Sequence, residues 1–467
     1  MASNIPDNQP DEMFGIGVAS VSLNVGIVGA GIAGLTAATA LRQSGHHVEI
    51  FERSRFNNEV GAAINICPNA SRILARYGFD FERAKAVIVE QCHFMKGDTL
   101  ETIDCADCRD MVDRYGWPWY LLHRVDLHTE LRRLVGEADY RRLASDEDHR
   151  ETEPTRINLA AKVIEVNCEL GTLKMADGSV VYKDLIVAAD GVHSSLSSTV
   201  IGTDSVATPT GSSMFRFLVP TEKLVQRAET RSLVQGAPPG VNLATGPDRR
   251  IVWYPCRNGE LQNFGLIHPD TRTDKRETDW RSNASLTELI EECQGFHPSL
   301  RAAMGVAEDI KLWKLLYRPP ISSWTRGKVV LIGDAAHPML PNQGQGGAQA
   351  IEDGAALGLL LSNLPDVREV PRRLKLFQEI RKTRAAAMQI FSNAGQDEAE
   401  KIQREARAYV KGPIPKTPAE FREWNFSYDI FQDCAKALVN LESQAGDVQA
   451  CDPFVLQQLP SARNDEV

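Results

Sequence analysis

The hydrophobic and polar positions follow two different patterns along the chain. Near the start, apolar runs at Val21–Val28 and His47–Glu52 flank a helical pattern over Ile32–Ser44, which predicts a strand–helix–strand unit. The same pattern returns late in the chain, where KVVLIGD at residues 328–334 predicts a strand and Ala348–Leu360 predicts a helix. Units of this kind build a parallel sheet that helices cover on both faces.

Residues 211–317 show short alternating strands that Gly and Pro interrupt. Asn258 and Gly259 lie between two apolar runs and predict a tight hairpin of type I′. A two-residue loop at this position would set Tyr254 opposite Asn263. We therefore expect a second layer, an antiparallel β-sheet that is distinct from the first domain.

Composition and charge exclude several classes of partner. The chain has 467 residues and a net charge of -10, so nucleic acid and anionic membrane surfaces are poor partners. No apolar run approaches the ~18 residues of a membrane span, and the N-terminal segment lacks the pattern of a signal peptide. Nine scattered cysteines favour a reducing, cytoplasmic location. The isolated pair Cys105 and Cys108 cannot complete a tetrahedral metal site and is not expected to carry one. No feature indicates an oligomeric state.

The first glycine cluster has the spacing of a dinucleotide site. Gly29, Gly31 and Gly34 form GxGxxG directly after a predicted strand and at the start of a predicted helix. The first glycine permits a tight turn, the second lets the backbone approach a pyrophosphate, and the third packs the helix on the sheet. Glu52 ends the next strand, where its carboxylate can accept hydrogen bonds from a ribose. This motif alone does not distinguish FAD from NAD.

A second glycine cluster lies about 300 residues later and favours FAD. Asp334 ends the late strand, where a carboxylate can bind a polyol, and Gly346 and Gly347 precede the helix at Ala348–Leu360. A helix N-terminus stabilises negative charge, which a reduced flavin carries on its pyrimidine edge and a nicotinamide does not. We therefore predict one long ligand, with ADP at the first cluster and the flavin at the second.

Three motifs in this order resemble a known family. GAGIAG at residues 29–34, ADGVHS at residues 189–194 and GDAAHPMLPNQGQGGAQAIED at residues 333–353 are similar to motifs of the class A FAD-dependent aromatic monooxygenases. Within them the chain most resembles the salicylate hydroxylase-like and fungal phenol-dearomatising enzymes, over roughly residues 22–400. The resemblance implies non-covalent FAD, NAD(P)H as a transient co-substrate, O2, and a flavin C4a-hydroperoxide that hydroxylates an electron-rich ring. Fungal-type secondary metabolism is the setting that the same resemblance suggests.

The resemblance also implies the fold and its domains. We expect a Rossmann-like FAD-binding domain of the para-hydroxybenzoate hydroxylase type, an antiparallel β-sheet substrate domain and C-terminal helices. The predicted boundaries are a flexible leader over 1–21, an FAD-binding domain over 22–91, 120–205 and 322–371, a substrate domain over 92–119 and 206–321, and a helical region over 372–467. A further helix pattern, RRLKLFQEIRKTRAAAMQIF at residues 372–391, is most simply a solvated helix packed along one side.

Cofactor contacts carry over from the family residue by residue. They are Glu52 at the ribose, Gly61 and Ala63 through backbone at the flavin, Arg124 at the phosphate or ribityl region, Asp190 of the ADG motif, Asp334 at the ribityl chain, and the N–H groups of Gly347 and Ala348 at the pyrimidine edge. Two departures from the pattern are visible. Ala63 stands where glycine is frequent, and Ser197 stands where an arginine seven residues after Asp190 is common.

The expected chemistry needs a cation or donor that holds a phenolate, because a phenolate attacks an activated oxygen better than a phenol does. Alternation in SSMFRFLVP places Arg216 on one strand face with Met214 and Leu218. From the residues alone, Arg216 could equally pair with a local carboxylate or extend to solvent, and Tyr254 could be a core tyrosine. In the dearomatising relatives an Arg and a Tyr from matching stretches bind and polarise the phenolate, which favours Arg216 and Tyr254 as catalytic residues.

Other candidates and functions stay open at this point. His337 is expected to be a structural hydrogen-bonding residue, as are His123 and His268, whereas Trp313 and Tyr317 could line a ring pocket or fill a domain junction. An indole or alkene epoxidase on the same fold and an FAD-containing scaffold that hydroxylates nothing are the alternatives to a phenolic hydroxylase. No metal site is predicted.

Overall fold

The computed structural model describes residues 21–56, 62–142, 155–204, 206–270, 281–395 and 400–444. The predicted leader and the polar segment before Thr155 lie almost wholly outside these ranges. None of the helices within them is long and apolar enough to cross a bilayer.

The strands of the described ranges are numbered in chain order. They are β1 (Asn24–Val28), β2 (His47–Glu52), β3 (Ala63–Ile66), β4 (Val87–Ile88), β5 (Gln91–Lys96), β6 (Thr102–Asp107), β7 (Tyr120–His123), β8 (Arg156–Leu159), β9 (Val163–Asn167), β10 (Thr172–Met175), β11 (Val180–Tyr182), β12 (Leu185–Ala188), β13 (Thr208–Pro220), β14 (Gly240–Thr245), β15 (Arg250–Cys256), β16 (Leu261–Pro269), β17 (Arg281–Asn283), β18 (Glu308–Tyr317), β19 (Thr325–Arg326) and β20 (Val329–Leu331).

The helices are numbered in the same way. They are α1 (Ile32–Gln43), α2 (Pro68–Arg76), α3 (Met111–Tyr115), α4 (Arg124–Arg142), α5 (Ser197–Ile201), α6 (Thr221–Val225), α7 (Ala228–Arg231), α8 (Leu286–Glu292), α9 (Pro298–Met304), α10 (Gly346–Leu361), α11 (Val370–Phe391), α12 (Gln403–Ala406), α13 (Pro418–Phe426) and α14 (Ile430–Gln444). Short 3₁₀ helices occur at Gly333–Ala335, Pro341–Gln343 and Val367–Glu369.

The first layer is a six-stranded sheet in the order β19-β20-β12-β1-β2-β8. Its strands pair in parallel except for β19 and β20 at one edge, which are antiparallel. The apolar side chains of β1, β12 and β20 are buried and share one core with α1 and α10. The carboxyl ends of β1, β2, β12 and β20 therefore meet at one edge of the sheet, where open α/β sheets bind ligands.

The predicted strand over Val180–Ala189 is wrong in one respect, because the structure divides it into β11 and β12. β11 pairs with β10 in a separate three-stranded sheet, whereas β12 joins the six-stranded sheet beside β1. The change occurs between two neighbouring residues: the Lys183 N–H donates to the Gly171 carbonyl, and the Asp184 N–H donates to the Asn24 carbonyl. A continuous apolar run does not reveal such a transfer between sheets.

The second layer is an eight-stranded sheet in the order β17-β18-β13-β16-β15-β14-β5-β6. The predicted hairpin is present: Tyr254 lies opposite Asn263, and Asn258 and Gly259 both have positive φ. The expected antiparallel sheet needs one correction, since β5 and β14 pair in parallel. The β5–β6 hairpin comes from an earlier part of the chain and adds to the edge of the sheet beside β14.

These layers confirm the predicted fold class, a Rossmann-like domain with a β-sheet substrate layer and C-terminal helices. A smaller sheet in the order β3-β7-β4 is packed by an apolar cluster that includes Leu121 of β7 and Tyr254 of β15, so it lies against the second layer. We retain the predicted domain boundaries as a proposal. The core of the first layer and the core of the second layer form separate apolar clusters.

Candidate active site

The first glycine cluster adopts the geometry that its spacing predicts. Gly29 has a φ of 102°, and a Cβ atom there would lie 2.4 Å from the Ala189 carbonyl oxygen, so the turn requires glycine. A Cβ atom on Gly34 would lie 2.0 Å from the Gly29 carbonyl oxygen, which lets α1 pack closely on β1. At Gly31 no described atom lies within 4 Å of that position. The α1 N-terminus therefore has open space beside it.

Glu52 ends β2 next to this turn. One carboxylate oxygen accepts a hydrogen bond from the Ala30 N–H at 2.8 Å, and the other accepts one from the Ser54 N–H at 2.8 Å. The Ala30 carbonyl in turn lies 2.7 Å from Nε2 of His128 on α4. The carboxylate is thereby oriented beside the phosphate-binding turn, which is the position predicted for the ribose contact.

The second helix start lies beside the first. A Cβ atom on Gly347, in the first turn of α10, would lie 2.9 Å from Cδ1 of Ile64 and 4.0 Å from Cδ1 of Ile32. Ile32 follows Gly31 directly and is the first residue of α1. The N-termini of α1 and α10 thus flank the same space, and Ala348 is fully buried behind it.

Asp334 lies in the 3₁₀ turn that follows β20. Its side chain is exposed and lines a cavity. Desolvation raises the pKa of its carboxyl, although the charges of His337, Arg124 and Arg318 oppose that shift. The Arg124 side chain also lines this cavity, and its backbone N–H donates to the Ala62 carbonyl at 2.9 Å.

Asp190 flanks the first glycine turn from the end of β12. One carboxylate oxygen accepts from the Ser195 N–H at 2.9 Å, whereas the other is buried with no hydrogen-bond partner in the described part of the chain. Burial raises the pKa of this carboxyl. Ser197 begins α5, and its N–H donates to the Ser194 hydroxyl at 3.0 Å. Asp190 is therefore anchored by backbone, without the arginine that is common in the family. Gly61 lies outside the described residues.

Three side chains of the second layer hold the backbone of one residue of β3. The Ala63 N–H donates to Oδ1 of Asn263 at 3.0 Å. The Ala63 carbonyl accepts hydrogen bonds from Arg216 at 2.9 Å and from the Tyr254 hydroxyl at 3.1 Å. The structure thus brings together both predicted catalytic residues and the predicted flavin-contacting residue. Asn263 was missed as a site residue, although the hairpin register already set it opposite Tyr254.

Arg216 and Tyr254 lie in a desolvated environment. Burial lowers the pKa of the Arg216 guanidinium, with Tyr254 opposing and Arg124 adding to that shift. Burial raises the pKa of Tyr254 to about 12, against the effect of Arg216. Tyr254 is therefore a neutral donor at physiological pH. Nε of Arg216 is buried and makes no hydrogen bond to any described residue, so the guanidinium retains a donor.

A cavity of about 420 Å³ joins these groups. Asp334 and Gly347 line it from the first layer, and Arg216 and Tyr254 line it from the second. Trp313 of β18 also lines it, whereas Tyr317 lies outside the lining and bonds to Asn393. Among the described lining residues, five are basic (Arg124, Arg216, Arg250, Lys314 and Arg422) and one, Asp334, is acidic. A basic cavity in a chain of net charge -10 is suited to an anionic ligand.

Beneath the α10 N-terminus lies a buried ionic network that sequence reasoning missed. Arg381 of α11 donates to Asp353 at 2.8 Å, and Arg384 donates to Glu352 at 2.8 Å. All four side chains are buried. The expectation of a solvated α11 is therefore wrong for these two arginines. Charge alternation along one helix does not show that a second helix offers two carboxylates to the same face.

His337 connects this network to the cofactor turn. Its Nε2 lies 2.6 Å from Asp353, which also accepts from the Gly333 N–H at 2.8 Å. Burial alone would raise the pKa of Asp353, but the charges of His337 and Arg381 lower it. His337 is thus a structural hydrogen-bonding residue, as predicted, and it fixes the loop that carries Asp334.

The remaining candidates have simpler environments. His268 stacks on Phe215 with ring centroids 4.8 Å apart, and burial lowers the pKa of His123. Cys105 is exposed and Cys108 is buried. Arg318 was missed by sequence reasoning: it is buried, donates to the Ala335 carbonyl at 2.6 Å and carries its charge beside Asp334.

Known proteins are similar to this chain in sequence. Residues 136–392 match a family described as an FAD binding domain, and residues 27–62 match an NAD(P)-binding Rossmann-like domain. An FAD-dependent monooxygenase of Diaporthe leptostromiformis is 36% identical over 397 residues, which cover 85% of this chain and 98% of that protein. The chain belongs to the class A FAD-dependent aromatic monooxygenases.

A further relative agrees with that assignment, and solved structures share the fold. Hispidin-3-hydroxylase of Neonothopanus nambi is 32% identical over 431 residues, which cover 90% of this chain and 97% of that protein. CtdE in complex with FAD and a substrate has a TM-score of 0.73 at 22% identity and covers 91% of this monooxygenase and 100% of that chain. A salicylate hydroxylase substrate complex has a TM-score of 0.68 at 23% identity, covering 89% and 98%. At these identities the solved structures show the shared fold.

The residues of this monooxygenase fit FAD, and the matches confirm FAD as the cofactor. The same matches support NAD(P)H as the co-substrate. Three features suit a dinucleotide with a second aromatic end: the open space at Gly31, the two adjacent helix starts, and the Asp190 oxygen that has no hydrogen-bond partner among the described residues. The individual contacts of Gly29, Gly31, Gly34, Glu52, Ala63, Arg124, Asp190, Asp334, Gly347 and Ala348 are our proposal.

Proposed function

We propose that this monooxygenase hydroxylates a phenolic small molecule. NAD(P)H and O2 are consumed, one oxygen atom enters the aromatic ring and the other leaves as water. We also propose the cytoplasm as its location and fungal-type secondary metabolism as its setting. FAD, when bound between the two helix starts, supplies the redox chemistry that accepts hydride and activates oxygen.

The observation that carries this proposal is a half-buried, largely desolvated cation in the cavity wall. Arg216 has no ion-pair partner in the ranges that the structure describes, and its Nε is an unused donor. A buried charge without a counter-ion is unfavourable, so an anionic ligand oxygen at this position is stabilised. A phenolate is such a ligand, and its ring is more nucleophilic than that of the neutral phenol.

The other residues of the cavity have complementary roles in this proposal. Tyr254, kept neutral by its raised pKa, donates a hydrogen bond to the same ligand oxygen. Asn263 holds the Ala63 peptide and thereby the strand that borders the cofactor. Apolar side chains such as Val252 and Trp313 line the cavity and exclude water from the ring.

The experiment is a screen of phenols and their O-methyl analogues with the FAD-loaded protein. We expect phenols to stimulate NADPH or NADH oxidation and to give a product heavier by one oxygen, whereas the O-methyl analogues give neither. Arg216→Ala should keep FAD and lose hydroxylation by about 100-fold or more. Arg404→Ala, which removes an exposed arginine of α12, is the matched control and should behave as the unmodified protein.

Three results would contradict the proposal. Equal stimulation by the O-methyl analogues would favour an epoxidase, since an alkene or indole acceptor needs no phenolate. NAD(P)H oxidation without any oxygenated product would favour a non-hydroxylating scaffold. Unchanged turnover of a phenol by Arg216→Ala would remove Arg216 from the reaction.

A further inference from the structure

One part of the cavity wall contains polar groups that the proposed function does not use. This part, the α13 end, is formed by α13 and by the segment before β7, and it includes Arg422, Asn425, Phe426 and Trp119. Phe426 packs edge-on against Trp119 with ring centroids 5.3 Å apart, so the two segments are in direct contact.

Two donors at this end are left without partners. Nε1 of Trp119 is buried, in a side chain that is 7% exposed, and has no hydrogen-bond partner in the described ranges. The terminal nitrogen Nη1 of Arg422 is also buried and has no hydrogen-bond partner among the same residues. A buried donor without an acceptor costs free energy in the ligand-free protein, so both groups are suited to a ligand that supplies acceptors.

The walls around these donors are apolar and contain no carboxylate, among the described lining residues, that could neutralise the arginine. Cys92 and Phe94 of β5 line the same cavity, together with Phe421 and Phe426 of α13. Burial raises the pKa of Cys92 to about 12 and that of Cys108 to about 11, and the positive charge of Arg422 opposes both shifts. The guanidinium is therefore near Cys92 of the cavity wall and near Cys108.

We infer that Arg422 and Trp119 form a second anion subsite, which binds a carboxylate or another acidic oxygen on the part of the substrate away from the hydroxylated phenol. This rests on the proposed function and specifies its substrate as a phenol with a second, ionised oxygen. Arg216 holds the phenolate, and Arg422 with the Trp119 N–H binds the distal anion across the same cavity. The excess of basic residues in the lining agrees with a ligand of two negative charges.

The test uses three phenolic acids and their methyl esters as probes: 4-hydroxybenzoate, 4-hydroxyphenylacetate and 4-hydroxycinnamate, which place the carboxylate at increasing distances from the ring. Binding to the FAD-loaded protein is measured by the change in the flavin absorption spectrum, and turnover by NAD(P)H oxidation and product mass. We expect at least one acid to bind about 10- to 100-fold more tightly than its ester, as loss of a charge-assisted bond predicts.

Two variants identify the residues responsible. Arg422→Gln should reduce the preference for the acid to within about threefold while the ester binds as before. Trp119→Phe keeps an aromatic ring that packs on Phe426 and removes the N–H group. It should therefore weaken binding of the acid by a smaller factor, about 3- to 10-fold. Arg422→Lys should restore part of the preference, because it returns the charge without the guanidinium geometry. Arg404→Gln is the matched control on α12.

The outcomes separate this inference from the proposed function. Equal binding of every acid and its ester, or an acid preference that Arg422→Gln retains in full, would overturn the subsite. Acid-selective binding that Arg422→Gln removes, without oxygenated product from any probe, would overturn the proposed function and leave the subsite standing. Hydroxylation of acids and esters with equal efficiency would overturn the subsite and leave the proposed function standing.

Discussion

The buried network behind the cofactor turn and the wall of the cavity differ in how their polar groups are satisfied. In the network, Arg381 pairs with Asp353 and Glu352, and His337 pairs with Asp353. In the cavity wall, one N–H group of each of Trp119, Arg422 and Arg216 has no hydrogen-bond partner among the described residues. The network fixes the backbone of the turn that carries Asp334, whereas the donors of the cavity wall are suited to a ligand that supplies acceptors.

We expect the paired network to determine the stability of the fold and the unpartnered donors to determine ligand binding. Substitutions in the paired network are expected to unfold the protein, since they strand a buried charge. Substitutions among the unpartnered donors are expected to leave the free energy of unfolding almost unchanged and to weaken ligand binding or turnover. Three predictions test this division, beginning with the largest expected change in stability.

Arg381→Met should lower the free energy of unfolding by about 3–5 kcal/mol, because Asp353 and Glu352 would lose a buried counter-ion. Burial alone would lower the pKa of Arg381, but these two carboxylates raise it, so the charged form is the stable one. Urea denaturation of the FAD-loaded protein measures the effect. Arg368→Met, which breaks an exposed pair with Asp366, is the control and should leave the free energy of unfolding nearly unchanged, because water screens that pair. A similar loss in both variants would contradict the division.

Asp334→Asn should give protein purified largely without yellow cofactor, because the carboxylate proposed to bind the ribityl chain is lost. The pKa of this acid is raised in the folded protein, so the folded form retains the proton more tightly than the unfolded form. Stability should therefore fall as pH rises from the ordinary value of 3.8 through the raised value, and the variant, whose amide does not titrate, should lack that fall. Full flavin occupancy in Asp334→Asn would place the cofactor contact elsewhere.

Tyr254→Phe should have the smallest effect on stability, about 1 kcal/mol or less, because one hydrogen bond to the Ala63 carbonyl is lost. Hydroxylation should fall about 10-fold or more. Since the pKa of Tyr254 is about 12, the loss should be uniform between about pH 6 and 9, and steady-state turnover at several pH values measures it. A defect confined to one end of that range would mean that Tyr254 ionises during turnover.

The cofactor site was predictable from the sequence because its signals are local. Gly29, Gly31, Gly34 and Glu52 occupy one βαβ unit, and each has a role that short-range geometry determines. Tyr254 and Asn263 were set opposite each other by the Asn258-Gly259 turn, which fixes the register of two adjacent strands.

The rest depends on contacts between distant segments. Trp119 and Arg422 are brought together by the packing of α13 against the segment before β7, and no spacing in the sequence indicates that contact. Arg381 and Arg384 have an ordinary helical spacing, and only the placement of α10 shows that they are buried. The division of Val180–Ala189 between two sheets likewise depends on pairing partners far along the chain.

The Ala63 carbonyl has a consequence for ligand selectivity. Arg216 and Tyr254 already donate to this oxygen, so an incoming ligand competes with the main chain for the same donors. When the ligand oxygen is neutral, the two donors exchange one ordinary acceptor for another, and little binding free energy is gained. An ionised oxygen instead accepts hydrogen bonds that are roughly twice as strong. The strand thus acts as an internal competitor that discriminates against uncharged ligands.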